Sequence, residues 1–190
     1  MNETPYIGHE LGTSVQVYTG SLIDPFNLDI TDLDIRDVVH KLSQMPRWNC
    51  FGREDYKVGQ HSVLVMRCVE DHIGLSEETA PILRQALLHE MDEVYFWDIP
   101  SPFKRNPAMK PIIEAGRKIS SLAAQKWNFP TEMHPLVKEA DEHMLIVEGT
   151  QFFRPPVFGD KRMNYPKIDV WTMDKTKWVM YEEFLRLTDG

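Results

Sequence analysis

The chain holds only two cysteines, Cys50 and Cys68. That number excludes a disulfide framework, and their separation lacks the paired spacing of a zinc knuckle. Reduced thiols, as in a cytosolic protein, are therefore expected. No apolar run approaches the length of a membrane span, so no membrane partner is expected. The opening MNETPYIGHE lacks a basic stretch followed by an apolar one, so no signal peptide is expected and the location is read as cytoplasmic. An excess of positive charge is also missing: 21 Lys and Arg stand against 29 Asp and Glu, a net charge of −8. That balance argues against a nucleic-acid polymer as partner. It leaves room for a small anionic ligand in a local basic pocket. Internal repeats, low-complexity stretches and a linker able to split the chain are absent as well.

What remains has the composition of an ordinary globular protein. Of 190 residues, 42% are hydrophobic and 26% charged, enough for one domain with a full core. Residues 1–30 read as an irregular N-terminal segment packed on the domain, with a short β-hairpin in TSVQVYTGSLI and a turn-rich stretch in DPFNLDITD. Residues 31–190 read as a helical domain, so the fold class is mainly α. Asp32 is expected to cap a helix running to about Gln44, with Ile35, Val38, Val39 and Leu42 on one face. A loop around RWNCFGRED leads to a second helix from Val58 to about His72. A third starts near Glu77 or Glu78 and is expected to carry His89 and Glu90 at its end. WDIPSPFKRNP reads as a loop, because Pro100 and Pro102 disfavour regular helix. Further helices are expected over roughly 108–127 and 132–152. After a loop in FRPPVFGDKRMNYP, a last amphipathic helix follows in MDKTKWVMYEEFLRL. Its Trp178, Val179, Tyr181 and Phe184 suit either a cap on the domain or a subunit contact.

Polar residues set into apolar helical faces carry the chemical information. His61 heads a stripe of Leu64, Val65, Cys68 and Val69. His89 and Glu90 follow Leu83, Ala86 and Leu87. Asp141 has Val137, Ala140, Met144 and Leu145 at core-facing offsets. Such groups either hydrogen-bond one another inside the core or share a cation. Two His and two carboxylates form an N/O set suited to Mn, Fe, Co, Ni or Zn.

The ordered strings QHS (Gln60–Ser62), LLHEMDEVYFWDIPSPFKR (Leu87–Arg105) and VKEADEHMLIVEG (Val137–Gly149) resemble the HD-domain phosphohydrolases. More narrowly they resemble the bacterial 5′-deoxynucleotidases and the phage deoxynucleoside triphosphohydrolases that cleave dATP. The likeness spans roughly residues 17–152. It implies a single HD-domain helical bundle, with His61, His89, Glu90 and Asp141 as metal ligands. Glu90 stands where the family normally has Asp, one methylene shorter.

The same likeness makes Glu93 a catalytic acid/base near the attacking water and places Asp98 near the sugar and the scissile phosphate. Arg47, Lys104 and Lys138 become phosphate-binding cations, Trp48 a nucleoside contact, and Cys50 a pocket wall. Trp97 is expected to narrow the same cavity, whereas Arg105 and Lys161 are read as solvated charges. The implied reaction is hydrolysis of dATP to deoxyadenosine and triphosphate, within phage nucleotide metabolism and so in host cytoplasm. Mg is expected on the phosphates, and a homo-oligomer is expected from the relatives. Alternative readings are a 5′-deoxynucleotidase acting on monophosphates and a nucleotide-binding module with impaired catalysis, motivated by Glu90. A non-haem iron oxygenase also uses two His and a carboxylate, but on a fold that is usually a β-barrel.

Overall fold

The structure is a computed structural model that describes residues 12–154 and 166–188. Lys161 and most of the predicted FRPPVFGDKRMNYP loop lie outside those residues. The protein is mainly helical, with one small hairpin near the N-terminus. Strands β1 (Val15–Gln16) and β2 (Leu22–Ile23) pair antiparallel, Val15 opposite Ile23. The hairpin is tied to the first helix by Thr19, whose backbone N–H and hydroxyl both donate to the buried Asp37 carboxylate, at 2.7 and 3.0 Å.

Helix α1 (Ile35–Gln44) starts later than predicted. Asp34 is its cap, accepting from the Arg36 N–H at 2.8 Å. Asp32 instead closes a 3-10 turn over Ile30–Asp32, accepting from the Asp29 N–H at 2.8 Å. The sequence offers an acid every few residues here, and Asp34 lies nearest the first core positions of the helix.

Helix α2 (Val58–Ile73) is the central element and packs on α1, α3 (Ala80–Leu87), α6 (Pro135–Phe152) and α7 (Met173–Thr188). Val58, Val63, Val65, Met66 and Val69 are all buried. Gly59 lets α1 and α7 close in: a Cβ there would lie 3.1 Å from the Leu42 carbonyl and 3.0 Å from Thr176 Cγ2. Gln60 holds the approach to α7, its amide donating to the Asp169 carbonyl at 2.7 Å and accepting from the Trp171 N–H at 2.9 Å.

Two predictions need correction around the next helices. The third helix ends at Leu87, before His89 and Glu90. Leu88 (φ −114°, ψ 16°) and Glu90 (φ −90°, ψ 19°) leave helical geometry, and a 3-10 turn over Met91–Glu93 follows. No Gly or Pro marks this stop, so the sequence reads through it. The segment Ser101–Lys104 forms one helical turn, α4, where a loop was predicted. Pro102 sits in its first positions, where a missing N–H costs nothing and the fixed φ suits the helix.

Helix α5 (Lys110–Lys126) then lies on the Met91–Glu93 turn. A Cβ on Gly116 would be 2.5 Å from the Asp92 carbonyl oxygen, so glycine is required at that approach. In α7, Val179, Met180, Phe184 and Leu187 are buried in the shared core, while Trp178 is 65% exposed. Most of that helix's apolar face therefore caps the domain. Among the described residues no helix is long and apolar enough to cross a membrane.

Candidate metal centre

Four side chains from three places in the chain converge. His61 comes from α2, His89 and Glu90 from the turn after α3, and Asp141 from α6. One donor atom from each lies within 4.8 Å of all the others. His61 Nε2 is 3.2 Å from His89 Nε2, 3.1 Å from Asp141 Oδ1 and 3.6 Å from Glu90 Oε1. His89 Nε2 is 3.6 Å from Glu90 Oε1 and 3.8 Å from Asp141 Oδ1. Donors bound at ~2.1 Å to one first-row ion sit roughly 3 to 3.5 Å apart; the two shortest edges fall in that range and the other three are up to 0.3 Å longer.

The tautomers are fixed from behind. His61 Nδ1 donates to Glu148 Oε1 at 2.7 Å, and His89 Nδ1 donates to the Ala86 carbonyl at 2.8 Å. In the neutral rings, both Nε2 lone pairs then face the same point as the two carboxylates. Two such acceptors facing each other repel unless a cation or proton lies between them. The donor set therefore could hold a metal ion. Without one, a proton serves. Burial and Arg47 oppose charge on His61, but Glu148 and Asp141 outweigh them and hold its pKa at about 9. Burial opposes ionisation of Glu90, yet His89, Arg47 and His61 pull it down to about 2. Asp141 is likewise held well below the carboxylate range by its hydrogen bonds to the two imidazoles, against the desolvation that opposes it. It is also the most open of the four, its side chain 35% exposed.

Arg47 lies inside this centre. Its guanidinium donates to Glu148 Oε2 and Glu90 Oε1, each at 2.9 Å, and stands 3.7 Å from Asp141 Oδ1. The predicted phosphate cation thus spends its donors on the carboxylates of the site. Trp48, Asn49 and Cys50 follow with φ of 54°, 51° and 67°, a left-handed run of non-glycine residues. The turn is held by its contacts. The Trp48 ring packs near Tyr56, Phe152 and Phe153, and Arg47 lies over it at 5.4 Å. The indole is half-buried in this aromatic nest, whereas Cys50 is exposed as a free thiol. Trp97 and Asp98 line a cavity of about 370 Å³ below the same turn, with His40, Gln44 and Asn49.

Glu93 is buried beside Asp98. Its Oε1 accepts from the Ile99 N–H at 3.0 Å and from Lys104 Nζ at 2.7 Å. Burial, Glu90 and Asp98 push its pKa up to about 9, so it carries a proton at neutral pH. Asp98 is raised by burial and Glu90 despite contacts with the Glu93 carboxyl and the Trp48 N–H. As two carboxylates, Glu93 Oε2 and Asp98 Oδ2 would both be buried without a donor. A single proton between them satisfies both. Lys104 also approaches Asp92 Oδ2 at 3.3 Å, and the two acids raise its pKa against its burial. Lys138 stands apart: its side chain is 69% exposed and lies 3.9 Å from Glu142.

Sequence reasoning missed Glu148 and Tyr56. Glu148 is fully buried and binds His61, Arg47 and the Tyr56 hydroxyl, the last at 2.7 Å. A signal existed, because Glu148 lies two turns after Asp141 on the inward face of α6.

No family model matches the chain. Among curated proteins, the uncharacterized protein YfdR of Escherichia coli (strain K12) is 33% identical over 126 residues. The alignment covers 66% of this chain and 63% of that protein, under two thirds of its length.

Proposed function

We propose that this chain is a metal-dependent deoxynucleotide phosphohydrolase of the HD-domain type, cleaving dATP to deoxyadenosine and triphosphate. The observation that carries the reading is the convergence of two imidazole lone pairs and two carboxylates on one point. His61, His89, Glu90 and Asp141 would hold the ion, with Co, Mn, Zn, Fe or Ni suited to the donors. When bound, it would supply a water of lowered pKa and a Lewis-acid contact to a phosphoryl oxygen.

The chain's own groups complete the chemistry. Glu148 keeps the His61 lone pair aimed inward. Glu93 holds a proton shared with Asp98 and can pass it to a leaving oxygen, which makes it the general acid. Lys104 offsets the charge that remains on this carboxyl pair. The cavity beside Trp97 and Asp98 offers an aromatic wall and amide groups for the nucleoside.

A second reading, a 5′-deoxynucleotidase, draws on Lys138, whose exposure and Glu142 contact weaken its predicted role on a phosphate tail. Incubation with dATP and with dAMP, each with Mn²⁺ or Co²⁺, separates the two. Inorganic triphosphate released from dATP is the expected result. Hydrolysis of dAMP alone selects the second reading, and turnover of neither substrate ends both.

A further inference from the structure

A second cleft has His89 in its wall and lies between α5 and residues 129–133. Its volume is about 330 Å³, and its walls include His89, Asp92, Arg117, Ser120, Ser121 and Thr131. Gly116 sets it up. Because α5 presses on the Asp92 carbonyl at that glycine, Arg117 comes to line the same cleft as His89 and Asp92. Ser120 and Ser121 follow at i+3 and i+4, so the cation and both hydroxyls share one helix face. Arg117 is exposed, and among the described residues neither it nor the two hydroxyls has a side-chain partner. The opposite loop is held in place from below. Gln85 donates to the carbonyls of Pro130 and Glu132 at 2.6 and 2.7 Å, and Arg84 donates to the Asn128 carbonyl at 2.8 Å.

Charge favours an anion here. Asp92 faces the cleft but is matched by Lys104 at 3.3 Å. The guanidinium of Arg117 is left uncompensated, with five N–H donors in a fork that suits phosphate oxygens. Of the three predicted phosphate cations, Arg47 is committed to Glu148 and Glu90 and Lys104 to Glu93 and Asp92, while Lys138 on α6 is not part of this cleft's wall.

We propose that this cleft binds the distal phosphates of a nucleoside triphosphate, with Arg117 as the charge partner and Ser120 and Ser121 as hydroxyl donors. The proposal rests on the phosphohydrolase reading and assigns the selection of triphosphate over monophosphate to α5.

The test uses inorganic triphosphate as probe, titrated calorimetrically into the full chain in metal-free buffer, so that neither turnover nor metal loading enters. The wild-type chain is expected to bind saturably. Arg117→Ala is expected to weaken binding about tenfold, with Arg117→Lys recovering part of the loss. Circular dichroism and melting temperature guard against misfolding, which is not expected at an exposed side chain. In kinetics, Arg117→Ala should raise the KM for dATP relative to that for dAMP by a similar factor. Absence of saturable binding up to millimolar probe, or equal binding by the alanine variant, overturns the cleft assignment even if dATP is hydrolysed. Arg117-dependent binding in a chain that turns over no nucleotide would keep the cleft and sink the enzymatic reading.

Discussion

The residue on which most of the centre depends is Glu148, whose sequence signal is only its place two turns after Asp141. It fixes the His61 tautomer, pairs with Arg47 and accepts from Tyr56, all while fully buried. Glu148→Gln keeps the shape but removes the charge opposite Arg47. A metal ligand deprived of such support loses about 10- to 100-fold in affinity, and breaking a buried ion pair costs roughly 3 to 5 kcal/mol. Both are expected for this variant, the first read by chelator competition and the second by urea unfolding. Single residues were legible where a polar group interrupts an apolar stripe, as at His61 and Asp141. They were misjudged where a cation has two possible uses. From sequence Arg47 is a free phosphate ligand, because the three carboxylates that surround it come from Glu90, Asp141 and Glu148, far along the chain.

At the scale of elements, periodicity placed α2, α5, α6 and α7 within a few residues, because each keeps an apolar stripe over several turns. The end of α3 was not legible. His89 and Glu90 reach the centre because the chain leaves the helix at Leu88, a turn made without glycine or proline. Close approaches of backbone to backbone were equally hidden, since a glycine within a helix carries no pattern. Gly116 is the sharpest of them. Adding a Cβ 2.5 Å from the Asp92 carbonyl must push α5 off the Met91–Glu93 turn. Gly116→Ala is expected to destabilise the fold by about 1 to 3 kcal/mol despite alanine's better helix propensity. Denaturant midpoints check this. An unchanged or raised midpoint would mean that the turn yields freely, and that Glu93 is not held by α5.

For the whole molecule, the relevant quantity is the coupling of metal binding to stability and pH. A ligand at 100 times its dissociation constant adds about 2.7 kcal/mol, which for a chain of this size raises the melting temperature by roughly 5 to 10 °C. His61 holds a proton up to about pH 9 in the ion-free protein, and that proton must leave before Nε2 can act as ligand. Below that pH, loading therefore grows easier as pH rises, by up to about tenfold per unit for one proton released. The shift caused by Mn²⁺ at fixed concentration should be larger near pH 8 than near pH 6, and chelator should erase it. A shift that shrinks with rising pH would contradict the assignment of His61.

Arg47 gives the molecule one more property. Its guanidinium already balances Glu148 and Glu90 before any ion arrives. Small metal domains stay unfolded until the ion draws their ligands together. Here the chain brings its own counter-charge and can finish folding first. Acquiring an ion at the site proposed for it would then be a late step, taken at a completed socket. Scarcity of metal would leave a pool of intact, ion-free molecules rather than a supply of misfolded chains for proteases to clear.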